Sequence, residues 1–123
     1  LSGGEFARVM MARLLAGQHE VLIADEPISD LDPPHRVDVM NILKDETRKG
    51  RAALVALHDL SLADRYCDRV VVLHHGCVIA QGHPSTILEA GVLSRAFDAS
   101  CRVTRSDGQL IAAFDGSRSG AEV

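Results

Sequence analysis

Val21-Leu22-Ile23-Ala24-Asp25-Glu26-Pro27 is the stretch that decides the fold of this 123-residue chain. Apolar residues run without a break and then give way to two carboxylates and a proline. A short continuous run of this kind is what a strand buried on both faces requires, as in a parallel sheet. Parallel neighbours need a crossover, and the following residues supply one. Residues 27–32 read as a loop, and Pro33-Pro34 suit the start of a helix. Residues 34–49 carry Val37, Met40, Ile42 and Leu43 on one side, and Gly50 closes the helix. Residues 52–57 then form a second apolar run that ends in His58-Asp59.

Working outward, residues 5–16 read as a helix entered from the Leu1-Ser2-Gly3-Gly4 loop, with Gly17 as the residue that stops it. Residues 60–67 read as a short helix capped by Asp59 or Ser61, and residues 70–73 as a third strand. His75-Gly76 turns the chain back into residues 77–80. Short helices follow at 85–88 and 92–97, then a hairpin about Asp107-Gly108 and a frayed tail over 116–123. Strand, helix, strand, helix, strand is an α/β order with parallel strands and crossover helices.

Composition narrows the function classes. Aromatic residues make up 3% of the chain and Trp is absent, which argues against surfaces that stack on bases or sugars. The net charge of −4 argues against a general nucleic-acid binder. Cys67, Cys77 and Cys101 are odd in number and widely spaced, so neither a disulfide framework nor a CxxC site is available. No apolar run approaches the length of a membrane span, and no signal peptide is visible. The chain begins with Leu, and the expectation is a piece of a longer product.

Several positions could carry chemistry. Asp25 and Glu26 close a buried strand, where α/β sheets gather ligands, and could divide between a divalent cation and a water. They could equally be a solvated strand end. Ser2-Gly3-Gly4 precedes a helix, whose free N–H groups and dipole favour an anion, or else it is an ordinary N-cap. His58 follows the second strand and should emerge at the same sheet edge as Asp25. His74, His75, Cys77 and His83 surround a hairpin, but alternation along the strands sends them to different faces, which argues against a zinc site. Asp45-Glu46 reads as a solvated helix face paired with Arg48 or Lys49.

Together these spacings resemble the ATP-binding cassette (ABC) ATPases. Leu1-Ser2-Gly3-Gly4-Glu5 is similar to the family signature, Val21 to Glu26 to its Walker B strand, Ser29-Asp30-Leu31-Asp32 to its D-loop, and His58 to its switch histidine. The resemblance implies ATP and Mg²⁺ as cofactors. It implies that Ser2, Gly3, Gly4 and Glu5 bind an ATP held mainly by an opposite cassette, and that Asp25 organises Mg²⁺. It further implies Glu26 as general base, His58 as a γ-phosphate contact, and Asp32 as the coupling residue across a dimer.

Phe6 and Ile28 depart from the family pattern. More consequential, GxxxxGK[ST] occurs nowhere in the chain, so the resemblance is to a cassette lacking its P-loop half. The implied division is a C-terminal half-cassette over 1–98 and a tail over 99–123. Such a half-cassette, alone, is expected neither to bind ATP tightly nor to hydrolyse it, and its apolar faces should lack cover. Residues 58–84 are similar to importer cassettes for iron chelates, haem and cobalamin. In that setting the partners are a second cassette and membrane permease subunits, at the cytoplasmic face of the membrane. The alternatives are a soluble ABC ATPase of DNA repair, chromosome structure or translation, and a non-catalytic truncated cassette.

Overall fold

The computed structural model describes residues 3–117. It divides into two compact units, one through His58 and one from Asp59 onward.

The first unit contains α1 (Gly3–Ala16), β1 (Val21–Asp25), α2 (Pro33–Arg48) and β2 (Ala52–Ala56). β1 and β2 are parallel, in register from Val21 opposite Ala52 to Asp25 opposite Ala56, and α2 makes the crossover. Main-chain bonds extend the ladder at both ends, from Ala52 N–H to Glu20 C=O (2.8 Å) and from Glu26 N–H to Ala56 C=O (2.9 Å). α2 begins after Asp32 with proline in its first turn, where the missing N–H has no helical partner to lose. It ends in a Schellman arrangement: Arg51 N–H donates to Glu46 C=O at 3.2 Å and Gly50 N–H to Thr47 C=O at 3.1 Å. Gly50 takes the left-handed φ of 99° that this closure needs. Asp45 is solvated as expected and pairs with Arg48 (2.8 Å), but Glu46 is not: its side chain is 13% exposed and lies between Lys49 (3.1 Å) and Arg51 (3.5 Å).

α1 stops at Ala16 as expected, but the left-handed residue is Gln18 (φ 52°) and not Gly17. A Cβ at Gly17 would meet only the exposed His19 ring, at 2.6 Å, which can turn away.

One face of the two-stranded ladder is covered and the other is not. α2 packs on β2 and buries Val39, Met40 and Leu43, while Leu22 in β1 has no exposed surface. On the opposite face Val21, Ile23 and Leu54 remain 55%, 68% and 63% exposed. Period-two alternation explains the contrast, because Leu22 and Ile23 point to opposite sides of the sheet.

The second unit holds α3 (Leu60–Tyr66), β3 (Val70–His74), β4 (Cys77–Gly82), α4 (Pro84–Ile87), α5 (Ala90–Phe97), β5 (Ala99–Ser106) and β6 (Gln109–Ser117). Asp59 is the cap of α3, accepting from Leu62 N–H at 3.1 Å. β3 pairs antiparallel with β4, so the third strand of the α/β order takes a hairpin partner. His75 (φ 49°) and Gly76 (φ 75°) form its turn, and Asp107 (φ 52°) and Gly108 (φ 76°) repeat the pattern between β5 and β6. Positive φ at both turn residues matches the right-handed twist of the paired strands. Gly116 and Ser117, expected in a frayed tail, belong to β6, and the rest of that tail lies outside the described residues. Leu93 of α5 is 1% exposed at the centre of this unit, with Leu62, Leu88, Cys101 and Leu110 also buried. Arg105 donates to the Asp64 carboxylate at 2.6 Å, tying β5 to α3. No helix among the described residues is long and apolar enough to cross a membrane.

Candidate functional site

The carboxyl ends of β1 and β2 lie side by side because the strands are parallel and in register. Asp25 is the last residue of β1, opposite Ala56, and its side chain is exposed. Glu26 leaves the strand with φ 47°, a left-handed conformation uncommon for a residue with a side chain. Its N–H still closes the ladder on Ala56, so the backbone turns while remaining anchored. The change of hand directs its carboxylate toward the neighbouring strand. His58 stands just past the end of that strand, and its Nε2 contacts Glu26 Oε1. The imidazole is 76% exposed and the Glu26 side chain 39% exposed, so the pair faces solvent from a fixed backbone.

The loop between β1 and α2 is held from within. Ile28 and Leu31 are buried (4% and 6% exposed), and Ser29 N–H donates to Glu26 C=O (3.3 Å) and Leu31 N–H to Ile28 C=O (3.1 Å). Arg36 Nε also donates to the Leu31 carbonyl at 2.7 Å. Ser29, Asp30 and Asp32 are thereby left on the exposed side. Asp32 holds the N-cap position of α2 in extended backbone, and its side chain makes no capping bond.

Of the residues singled out from the sequence, Glu26 and His58 are brought into contact, with Asp25 next to them at the same strand end. Gly3 and Gly4 open α1, Glu5 lies in its first turn, and Ser2 is outside the described residues. The sequence did not show that Ile28 and Leu31 are buried anchors, nor that the Ala56 carbonyl fixes Glu26. Ile28 is one of the two residues that depart from the family pattern, and its burial gives an apolar side chain a reason to be there.

The arrangement offers hard oxygen donors and an imidazole at the carboxyl end of a parallel sheet, where phosphate-bearing ligands and their cations commonly bind. A solvent-facing carboxylate bridged to a histidine can orient a water and accept its proton. The Asp25 carboxylate is the right donor type for Mg²⁺, which prefers oxygen ligands and retains several waters.

No family model matches the chain. Individual proteins do. The hemin import ATP-binding protein HmuV of Rhodococcus jostii is 45% identical over 97 residues, covering 79% of this chain and 33% of that protein. The achromobactin transport ATP-binding protein CbrD of Dickeya dadantii is 39% identical over 104 residues, covering 84% of this chain and 39% of that protein. Among solved structures, the ATP-binding cassette MJ0796, a dimer in a post-hydrolysis state bound to ADP and Pi, superposes with a TM-score of 0.63 at 32% identity. That match covers 68% of this chain and 36% of the cassette. The chain thus spans little more than a third of the length of the curated relatives it matches.

Proposed function

Because this chain is an ABC-type ATP-binding cassette sequence that resembles the ATPases of haem and iron-chelate import, we propose that it supplies the hydrolytic strip of an ATP site driving solute uptake. The observation that supports this most is the contact of Glu26 with His58 across two parallel strand ends, beside Asp25. Phosphoryl transfer to water asks mainly for positioning and charge stabilisation, which such a strip can provide.

Glu26 acts as general base on the attacking water, and its backbone anchor on Ala56 keeps the carboxylate in place. His58 fixes that water and contacts the γ-phosphate. Asp25 would hold Mg²⁺, which would supply charge neutralisation of the phosphates when bound. Ser2, Gly3, Gly4 and Glu5 serve the ATP of a second cassette; Gly3, Gly4 and Glu5 lie at the start of α1, where N–H groups and the helix dipole favour an anion. Asp32 links the two sites across the dimer. Permease subunits are the membrane partners, with the cassette at the cytoplasmic face.

The residues present fit the terminal phosphate and its cation, but the sequence has no GxxxxGK[ST] cradle for the remaining phosphates. The 123-residue chain alone therefore neither binds ATP tightly nor turns it over. The bare Val21, Ile23 and Leu54 face supports the same view, since it is where a further layer of a cassette would pack.

The test is Mg²⁺-dependent ATP turnover by the whole cassette. Glu26→Gln should lower it by about 100-fold or more while ATP binding persists, the size expected for loss of a general base. Turnover unaffected by Glu26→Gln would remove Glu26 from the mechanism. Turnover by the 123-residue chain by itself would refute the claim that it is inactive.

A further inference from the structure

A second cluster lies in the C-terminal unit, in residues that the ATP site does not use. His74 ends β3, His75 begins the turn to β4, and Asp98 is the left-handed residue that closes α5. His74 Nε2 lies 3.2 Å from Asp98 Oδ1 and 3.1 Å from Oδ2, and His75 Nε2 lies 4.0 Å from Oδ2. One ligand atom from each of the three residues falls within 4.8 Å of the other two. The imidazole rings meet edge to face, with centroids 3.9 Å apart and planes at 71°.

We propose that His74, His75 and Asp98 bind a divalent transition-metal ion of the zinc class. Zinc takes nitrogen and carboxylate oxygen at roughly 2.0–2.2 Å in a tetrahedron, which sets its ligand atoms roughly 3.3–3.6 Å apart. The separations of 3.1 Å and 4.0 Å to Asp98 lie on either side of that range. The His75 ring is 78% exposed and can close the gap by a side-chain rotation. Two imidazoles favour zinc over magnesium or calcium, which prefer all-oxygen sites.

Asp98 pairs with both imidazoles, at 3.1 Å with His74 and at 4.0 Å with His75, so one carboxylate already gathers both rings. The C-terminal end of α5 adds partial negative charge beside Asp98, which also favours a cation. Cys77, the ladder partner of His74, is exposed and lies outside the cluster. The site has three protein ligands and one position for water, and it would clip the β3–β4 turn to the end of α5.

The experiment is calorimetric titration of the whole protein with Zn²⁺ in nucleotide-free buffer, with Co²⁺ absorption reporting coordination geometry. His75→Asn is the informative variant, because Asn-Gly is a preferred sequence for this turn and the backbone is kept while the imidazole is lost. Asp98→Asn removes the carboxylate. Each should weaken Zn²⁺ binding at least about 10-fold and abolish the tetrahedral Co²⁺ band, whereas Cys77→Ser and His35→Ala should leave both unchanged. No saturable Zn²⁺ binding, or binding that His75→Asn leaves unaltered, overturns the site.

Discussion

Replacing Ile23 by Thr distinguishes a sheet face that belongs to solvent from one that belongs under another layer. Ile23 is 68% exposed on the face that also shows Val21 and Leu54. Thr retains β-branching, so strand propensity changes little and the substitution reads out burial. In the 123-residue chain the change should cost no more than about 0.5 kcal/mol, as for most exposed positions. In the whole protein, covering this side chain is worth roughly 1.5–3 kcal/mol, and about two-thirds of that is still unrealised here. A hydroxyl left without a partner under the covering layer adds about 1–3 kcal/mol. The expected cost in the whole protein is therefore about 2–5 kcal/mol. Leu22→Ala is the internal control: with no exposed surface on the α2 side, it should cost about 3–5 kcal/mol there. Urea unfolding followed by circular dichroism gives both values, from midpoint shifts at constant slope. If Ile23→Thr is near neutral in the whole protein while Leu22→Ala is costly, the face is a true outer surface, and reading it as the seat of a missing layer is wrong.

Other perturbations address the second unit. Arg105→Ala leaves the Asp64 carboxylate, whose side chain is 8% exposed, without its 2.6 Å donor. Allowing for the partly exposed Arg105, the loss should be about 1–2 kcal/mol by denaturant unfolding, and no change would show that water replaces the guanidinium. The cysteines should differ in reactivity: native iodoacetamide labelling should reach exposed Cys77 first and buried Cys101 last, and equal rates would contradict the packing of α5 on β5. Burial, and then the nearby Asp115 charge, push the Cys101 thiol above its ordinary range. The folded state therefore keeps this proton longer than the unfolded chain does. Its contribution to stability is complete below the unfolded thiol pKa and is lost as pH rises through the raised folded value. Unfolding midpoints across the alkaline range should fall more steeply for the native sequence than for Cys101→Ser, and parallel curves would remove Cys101 as the cause.

Local chemistry made much of the fold legible. The short apolar runs gave β1 and β2, Pro33-Pro34 and Gly50 bracketed α2, and the pairs His75-Gly76 and Asp107-Gly108 marked both hairpins. What stayed hidden depends on partners distant in sequence. A run such as Val21-Leu22-Ile23-Ala24 is apolar on both sides, so nothing in it says that one side alone is covered. The left-handed turn at Glu26 was not legible either: the residue takes this conformation while its N–H stays on the Ala56 carbonyl of a strand distant in sequence. At the second cluster, period-two alternation misleads: His74 and His75 come together because one ends a strand and the other starts a turn. Asp98 reaches them from a segment that shares no motif with the hairpin.

Glu26 and His58 meet because two stretches of chain hold one register, and this makes the strip unequally tolerant of length changes. Adding a residue in the exposed turn before β2 disturbs the α2 closure at Gly50 and Arg51 but leaves the pairing from Ala52 onward in register. The same edit between Val55 and His58 has no slack to absorb it. It would swing the imidazole off the carboxylate with every hydrophobic contact of the unit intact, yielding a protein that folds and cannot do its chemistry.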